Sequence, residues 1–260
     1  MSVKALIYRH LLARVPRAVR DPLARSTLLR PVRDWFFRPG GTPSLHRVPV
    51  RFEGFEFTFA APFQSAHVAQ TRGIENRICR FLVDHSPRGG TCIDVGANYG
   101  YVSLVMARAV GPTGRVVSIE ASAHVYEGLS SNIAANGMQA MTTAIHGFAG
   151  RREDAGSSPP AVTVDAIVRA NALSHVDVIK IDVDGPELDV LHGARESLQR
   201  FRPAIVVELT RDHEVIYDFL VDAGYACVDM DGLEVRRGAW PENLFATHGR
   251  LPTIRTSSKR

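Results

Sequence analysis

Between residues 48 and 62 apolar and polar positions alternate, with Phe52, Phe55, Phe57 and Phe59 interleaved around Gly54. A period of two with a glycine at its centre predicts a β-hairpin. The period then lengthens: Ile74, Ile78, Phe81 and Leu82 recur at helical spacing within residues 73–86, which predicts an amphipathic helix. From residue 91 onward the two patterns take turns. Strands are expected at 91–95, 115–120, 141–147, 176–182 and 204–209, and helices at about 100–110, 123–136, 186–200 and 213–223. A polar loop at 150–161 interrupts the series before a short strand and helix at 162–172, and Asp231-Gly232 marks a turn between short strands near the end. Near-continuous apolar strands separated by helices predict a doubly wound, mostly parallel α/β sheet covered on both faces, with an antiparallel edge strand.

Charge divides the chain. Residues 1–38 carry nine Lys or Arg against two Asp, although the whole chain has a formal net charge of only +4. Gly and Pro in 38–44 mark a connection, so the expected organisation is a basic helical arm over 1–44 and one domain over 45–260. Leu6, Ile7, Leu11, Leu12 and Val15 suit one face of a short helix in that arm. Such a helix can lie on an anionic membrane surface, contact another subunit, or dock on the domain. No run of eighteen apolar residues exists, so no spanning segment is expected. Cys79, Cys92 and Cys227 have neither zinc-ligand nor disulfide spacing, which fits a reducing cytoplasm, with peripheral contact at the inner membrane surface left open.

In a doubly wound sheet, ligands bind outside the carboxyl ends of the strands where strand order reverses, which directs attention to "DVGANYG", residues 94–100. Gly96 and Gly100 let the backbone approach a ligand closely, and the next helix presents free N–H groups. A dinucleotide fingerprint requires G-x-G-x-x-G, whereas Asn98 stands where the second glycine would be. Asp94 at the strand end would repel a pyrophosphate and attract an ammonium. Glu120, ending the next strand, can accept ribose hydroxyls. An amino-acid cation at one end and a ribose at the other describe S-adenosylmethionine better than NAD.

With those residues in view, "CIDVGANYGYVSLVMARAVGPTGRVVSIEAS" resembles the first two strands of class I S-adenosylmethionine-dependent methyltransferases, and "VDVIKIDVDGPELDVLHGARESLQRFRPAIVVEL" resembles the signature of their FkbM-type branch. The resemblance covers about residues 70–247. It implies a Rossmann-like methyltransferase domain in which Asp94, Gly96, Ala97, Asn98 and Gly100 surround the methionine end of the donor, Tyr101 covers it, and Glu120 holds the ribose. The acceptor it implies is a hydroxyl on a sugar, glycolipid or other secondary metabolite, with no nucleic acid involved. Where the family commonly has Glu-Gly-Ala-Glu, this chain has Asp184-Gly185-Pro186-Glu187.

The acidic run that contains those residues divides. Asp184 and Glu187 flank Pro186 at a helix start, where carboxylates meet the positive dipole end, and Asp189 is expected in solvent. Asp182 ends its strand beside the expected methyl group and is the candidate base or hydroxyl-orienting group. Lys180, two residues earlier on the same strand face, needs a partner if buried, with Asp94 and Asp182 both available. No metal is predicted, although Asp182 and Glu208 together offer ligands to a hard divalent cation. His67, His146 and His213 are the histidines that fit an acceptor pocket, and Asp165 is expected to cap a helix. A non-catalytic scaffold with the same fold and an NAD-binding oxidoreductase remain the alternatives.

Overall fold

The computed structural model describes residues 44–252 and 254. The basic arm and its proposed membrane contact lie outside them.

The phenylalanine alternation forms the expected hairpin: β1 (Leu45–Phe52) pairs antiparallel with β2 (Phe55–Pro62), and Phe52 faces Phe55 across Glu53-Gly54, both at positive φ. Two short helices follow, α1 (Phe63–Thr71) and α2 (Asn76–His85). The alternating region then runs β3 (Thr91–Val95), α3 (Tyr101–Val110), β4 (Arg115–Glu120), α4 (Ala123–Ala135) and β5 (Thr142–His146). Two two-residue strands, β6 (Phe148–Ala149) and β7 (Ala161–Val162), bracket the polar loop. The second half consists of α5 (Val164–Ala170), β8 (Val178–Ile181), α6 (Glu187–His192), α7 (Arg195–Phe201), β9 (Ala204–Glu208), α8 (His213–Asp222), β10 (Tyr225–Val228) and β11 (Asn243–His248).

Seven strands form the central sheet in the order β10-β11-β9-β8-β3-β4-β5, with β3, β4, β5, β8 and β9 parallel. The reversed strand is β11, which lies between β9 and β10, one place in from the edge. Asp231-Gly232 lies in the expected tight turn, which brings Glu234 antiparallel to Val228 at the end of β10, with Asp229 N donating to Leu233 O. The expected single helix at 186–200 is two: the chain breaks at Gly193-Ala194, where a Cβ on Gly193 would lie 2.1 Å from the Gly150 carbonyl oxygen.

Strand parity sorts side chains into two cores. Ile93, Val95, Ile179, Ile181, Ile205 and Val207 pack on the face covered by α5 to α8. Cys92, Val178 and Val206 point to the other face, beneath α2, α3 and the hairpin. Fully burying such side chains stabilises the fold by about 1.5–3 kcal/mol each. Helix α3 is buried along nine of its ten residues because the sheet lies under it and the hairpin over it, so its apolar surface runs all the way round. The same parity places Asp94 and Lys180 on the hairpin side of the sheet, next to the switch point between β3 and β8. Among the described residues no helix is long and apolar enough to cross a membrane.

Candidate active site

The turn after β3 is held by its own amides. Gly96 N and Ala97 N both donate to the Ile119 carbonyl, at 3.0 and 2.9 Å, and Asn98 N donates to Glu120 Oε2 at 2.9 Å. Tyr99 N reaches Asn98 Oδ1 and Gly100 N reaches the Ala97 carbonyl. All five N–H groups from 96 to 100 are therefore taken by protein acceptors, unlike a loop that cradles phosphate with free amides. Gly96 sits at φ 76°, and a Cβ there would lie 1.7 Å from the Asp182 carbonyl oxygen, so only glycine lets the β3 and β8 ends meet this closely. Gly100, at φ 85°, is seated on Leu129, 2.5 Å from where its Cβ would be.

Beneath the turn, Asp94 has no solvent exposure; its Oδ2 accepts from Ser103 Oγ at 2.6 Å, and Ser118 Oγ donates onward to Ser103. Lys180, 3% exposed, faces Asp94 Oδ1 at 3.5 Å and Asp182 Oδ2 at 3.1 Å, and donates to the Gly96 carbonyl at 3.1 Å. Both expected partners are thus engaged at once. Burial pulls the ammonium down, but Asp94, Asp182 and Glu75 together outweigh it and hold Lys180 above the ordinary lysine range.

Asp182 is the residue after β8, with its N–H on the Val95 carbonyl and its side chain partly open to solvent. Its carboxylate and those of Asp184 and Glu208 offer oxygens all within 4.8 Å of one another. Glu208 is raised to about 8, first by burial, then by hydrogen bonding to Asp182 and by the charges of Asp182, Asp184 and Glu187. Three carboxylates this close suit a shared proton or a hard cation with oxygen ligands. Glu187 opens α6 as expected and is fully buried: its Oε1 accepts from Gly185 N at 2.7 Å and Thr210 Oγ1 at 3.0 Å.

Along the other side of the turn lies a cavity of about 370 Å³ bordered by Gly96, Glu120, Phe148, Asp182 and Asp184. Glu120 is fixed at its rim, with Oε1 accepting from Ser122 N at 2.8 Å and Oε2 from Asn98 N. Phe148 is 43% exposed and lines the cavity, an apolar surface that a strand pattern ending at 147 did not single out. Tyr101 is placed away from this opening, buried edge-on against Phe57 and Phe59 of the hairpin at 5.5 and 5.4 Å. Burial, with smaller effects from Cys79 and Glu75, pushes its phenol up to about 12.

Glu75 joins the site electrostatically, although no local pattern around it pointed there. It opens α2 in the left-handed region, φ 48° and ψ 42°, uncommon for a residue with a side chain. Its side chain reaches solvent, while Lys180, Asp182 and Asp94 act on it electrostatically. Partial removal of water by the surrounding protein raises its carboxyl, the Lys180 charge opposes the rise, and Asp182, Asp94 and Glu242 add to it. The histidines are dispersed: His67 stacks on Phe63, His146 on Tyr126, and His213 meets the edge of Trp240. Asp165 does cap a helix, but it is α7: it accepts from Glu196 N and Ser197 N, while Thr163 caps α5.

Residues 140–227 match the sequence model of the methyltransferase FkbM domain, and residues 74–167 match that of protein-L-isoaspartate(D-aspartate) O-methyltransferase. Solved structures similar to this chain include a methyltransferase FkbM from Methylobacillus flagellatus KT, with 17% identity and a TM-score of 0.47, covering 60% of this chain and 43% of that one. The chain therefore spans less than half the length of that relative. Fibrillarin from Aeropyrum pernix, in complex with S-adenosyl-L-methionine, shows 16% identity and a TM-score of 0.47 over 80% and 85% of the two chains. An O-methyltransferase from Bacillus cereus shows 18% identity and a TM-score of 0.46 over 68% and 83%. The FkbM match contains Lys180 and Asp182, and the second match contains the glycine turn and Glu120, so the two halves of the site fall in stretches similar to methyltransferase sequences.

Proposed function

We propose that this protein is an S-adenosylmethionine-dependent methyltransferase that O-methylates a hydroxyl of a sugar, a glycolipid or another secondary metabolite. The observation that carries the reading is the cavity that runs from Glu120 to Asp182 along the glycine turn, because it puts a ribose-binding carboxylate and a candidate base on one continuous surface. The fit is specific in one respect. With every amide from 96 to 100 already bonded, the turn offers shape without free phosphate donors, which suits a nucleoside joined to an amino acid and disfavours the pyrophosphate of NAD.

In this reading Gly96, Ala97, Asn98 and Gly100 shape the surface against the methionine part, Asp94 secures that surface from beneath through Lys180, and Glu120 accepts the ribose hydroxyls. Tyr101 acts from the second layer by holding the start of α3 against the hairpin. The donor, when bound, supplies an electrophilic sulfonium methyl. What the chain must add is alignment of the acceptor oxygen and removal of its proton. Asp182 takes that proton, and its ion pair with Lys180 keeps the carboxylate oriented. The neighbouring Glu208 carboxyl extends the hydrogen-bonded group that holds the acceptor hydroxyl.

Calorimetry with S-adenosylmethionine and NAD, followed by transfer of tritiated methyl groups into glycan and lipid-linked extracts, tests the proposal. Binding of the first nucleotide and a labelled product shifted by one CH₂ in mass support it. Binding without any labelled product points to a scaffold, and preferential binding of NAD overturns the reading.

A further inference from the structure

Asn132 of α4 and Asn136, the residue that caps its end, both bond the hairpin, and Asn132 bonds the glycine turn as well. Asn132, fully buried, accepts from Ala60 N at 2.8 Å and donates to the Ala60 carbonyl at 2.7 Å and to the Tyr99 carbonyl at 2.8 Å. Asn136, one turn later, accepts from Thr58 N at 2.8 Å and donates to the Thr58 carbonyl at 2.7 Å. Thr58 and Ala60 lie on the free edge of β2, whose other edge pairs with β1. Four helical residues advance about 6.0 Å and two strand residues about 6.7 Å, so amides at i and i+4 of a helix can meet alternate residues of a strand. Helix α4 thus substitutes for a third strand and satisfies an edge that would otherwise be open.

The ladder does more than close that edge. Gly128, a turn before Asn132, leaves room for the Tyr99 ring, since a Cβ there would fall 2.6 Å from Tyr99 Cδ1. The next residue, Leu129, is the one against which Gly100 is seated. One face of α4 therefore contacts the ring of Tyr99, the carbonyl of Tyr99 and the Cα of Gly100, all within the turn that carries the proposed donor site. Asn136 bonds Thr58 of the hairpin as Asn132 bonds Ala60, but its remaining side-chain bond, at 2.8 Å, goes to the Asn132 carbonyl and not to Tyr99.

We infer that Asn132 is a positioning residue for the donor-binding turn, fixing it through the Tyr99 carbonyl, with the β1–β2 hairpin as its rigid backing; the inference builds on the proposed donor site. Replacing Asn132 by Leu keeps the volume and removes the donor to Tyr99, leaving the Ala60 and Tyr99 backbone groups unpaired.

The test compares Asn132→Leu, Asn136→Leu and Gly128→Ala in the full chain, reading S-adenosylmethionine affinity by calorimetry and amide hydrogen exchange across 96–101 by mass spectrometry. Asn132→Leu is expected to weaken donor binding by about tenfold, the scale of one buried hydrogen bond, and to speed exchange in the turn. Asn136→Leu is expected to leave both within about twofold, since it breaks the bonds to Thr58 and one to the Asn132 backbone carbonyl but leaves the Asn132 side chain on the Tyr99 carbonyl. Gly128→Ala favours the helix while displacing Tyr99, so it should fold and follow Asn132→Leu even where the latter does not fold. Unchanged affinity and exchange in whichever of these two variants folds, or losses in Asn136→Leu equal to theirs, would overturn the inference. Should the wild type bind no S-adenosylmethionine, the proposed function fails by itself, and the exchange rates of the same variants still decide whether Asn132 fixes the turn.

Discussion

Lys180 stands directly opposite Asp94 in the parallel pairing of β8 with β3, and its ammonium bridges from that fully buried carboxylate to Asp182 at the open end of its own strand. One cation thereby links the floor of the glycine turn to the group proposed to act on the acceptor. The linkage has an energetic consequence, because a buried carboxylate stripped of its cation is costly. Lys180→Met should destabilise the fold by about 3–5 kcal/mol, the usual effect of leaving one member of a buried pair alone. Asp94→Asn in the same chain should recover much of that loss, since no buried charge then remains. Urea denaturation of the two single variants and the double variant measures the coupling, and strict additivity would contradict it.

Asp182 is separable from that structural pair. It is partly exposed, follows the strand, and accepts from Lys180 with one oxygen, so Asp182→Asn retains a side chain of the same shape. The expected result is a fall of about 10²–10⁴ in turnover with donor affinity unchanged, the range for loss of a positioned proton acceptor. Full turnover in Asp182→Asn would reduce the residue to an architectural role.

Much of this was legible beforehand for a simple reason. Strand parity and apolar runs are local, so the order of strands and helices, the hairpin, and the shared face of Lys180 and Asp182 could be read from spacing alone. Partners brought together by packing were not. Nothing near Glu75 in sequence points to Lys180, 105 positions away, and Asp165 caps a helix 30 residues further on because α5 and α7 lie side by side. The acidic run shows the same limit. Glu187 has the position of an ordinary dipole-facing carboxylate, yet it is fully buried and accepts from Thr210, 23 positions away beyond β9. The resemblance implied that Tyr101 covers the donor, but its ring packs edge-on against the hairpin phenylalanines.

Stability should depend on pH through Glu208. Its folded value near 8 lies above the ordinary 4.5, so between these limits the folded protein holds a proton that the unfolded chain has released. The stabilising contribution of the protonated group is complete below about pH 4.5 and is lost as pH rises through 8. Glu75 is raised as well and acts in the same sense. Midpoints of thermal unfolding from pH 5 to 9 should therefore fall more steeply for the wild type than for Glu208→Gln, which keeps the neutral form throughout. The variant should retain some slope from Glu75, and a slope equal to that of the wild type would show that Glu208 ionises normally.

Glu120 has two tasks that substitution can tell apart. Its oxygens hold Asn98 N and Ser122 N, and the same carboxylate faces the cavity where a ribose is proposed to sit. In Glu120→Gln one oxygen becomes an NH₂ group, which cannot accept, so one of those two amides loses its partner. The expected loss of stability is about 1–3 kcal/mol if that amide stays shielded from water, and donor affinity falls with it. Glu120→Ala admits water in place of both oxygens and should recover part of the stability while losing the ribose contact entirely. A structural role alone predicts that affinity follows stability across the two variants. A ribose-binding role predicts that Glu120→Ala is the more stable of the pair and the weaker binder, and parallel calorimetry and urea denaturation distinguish these outcomes.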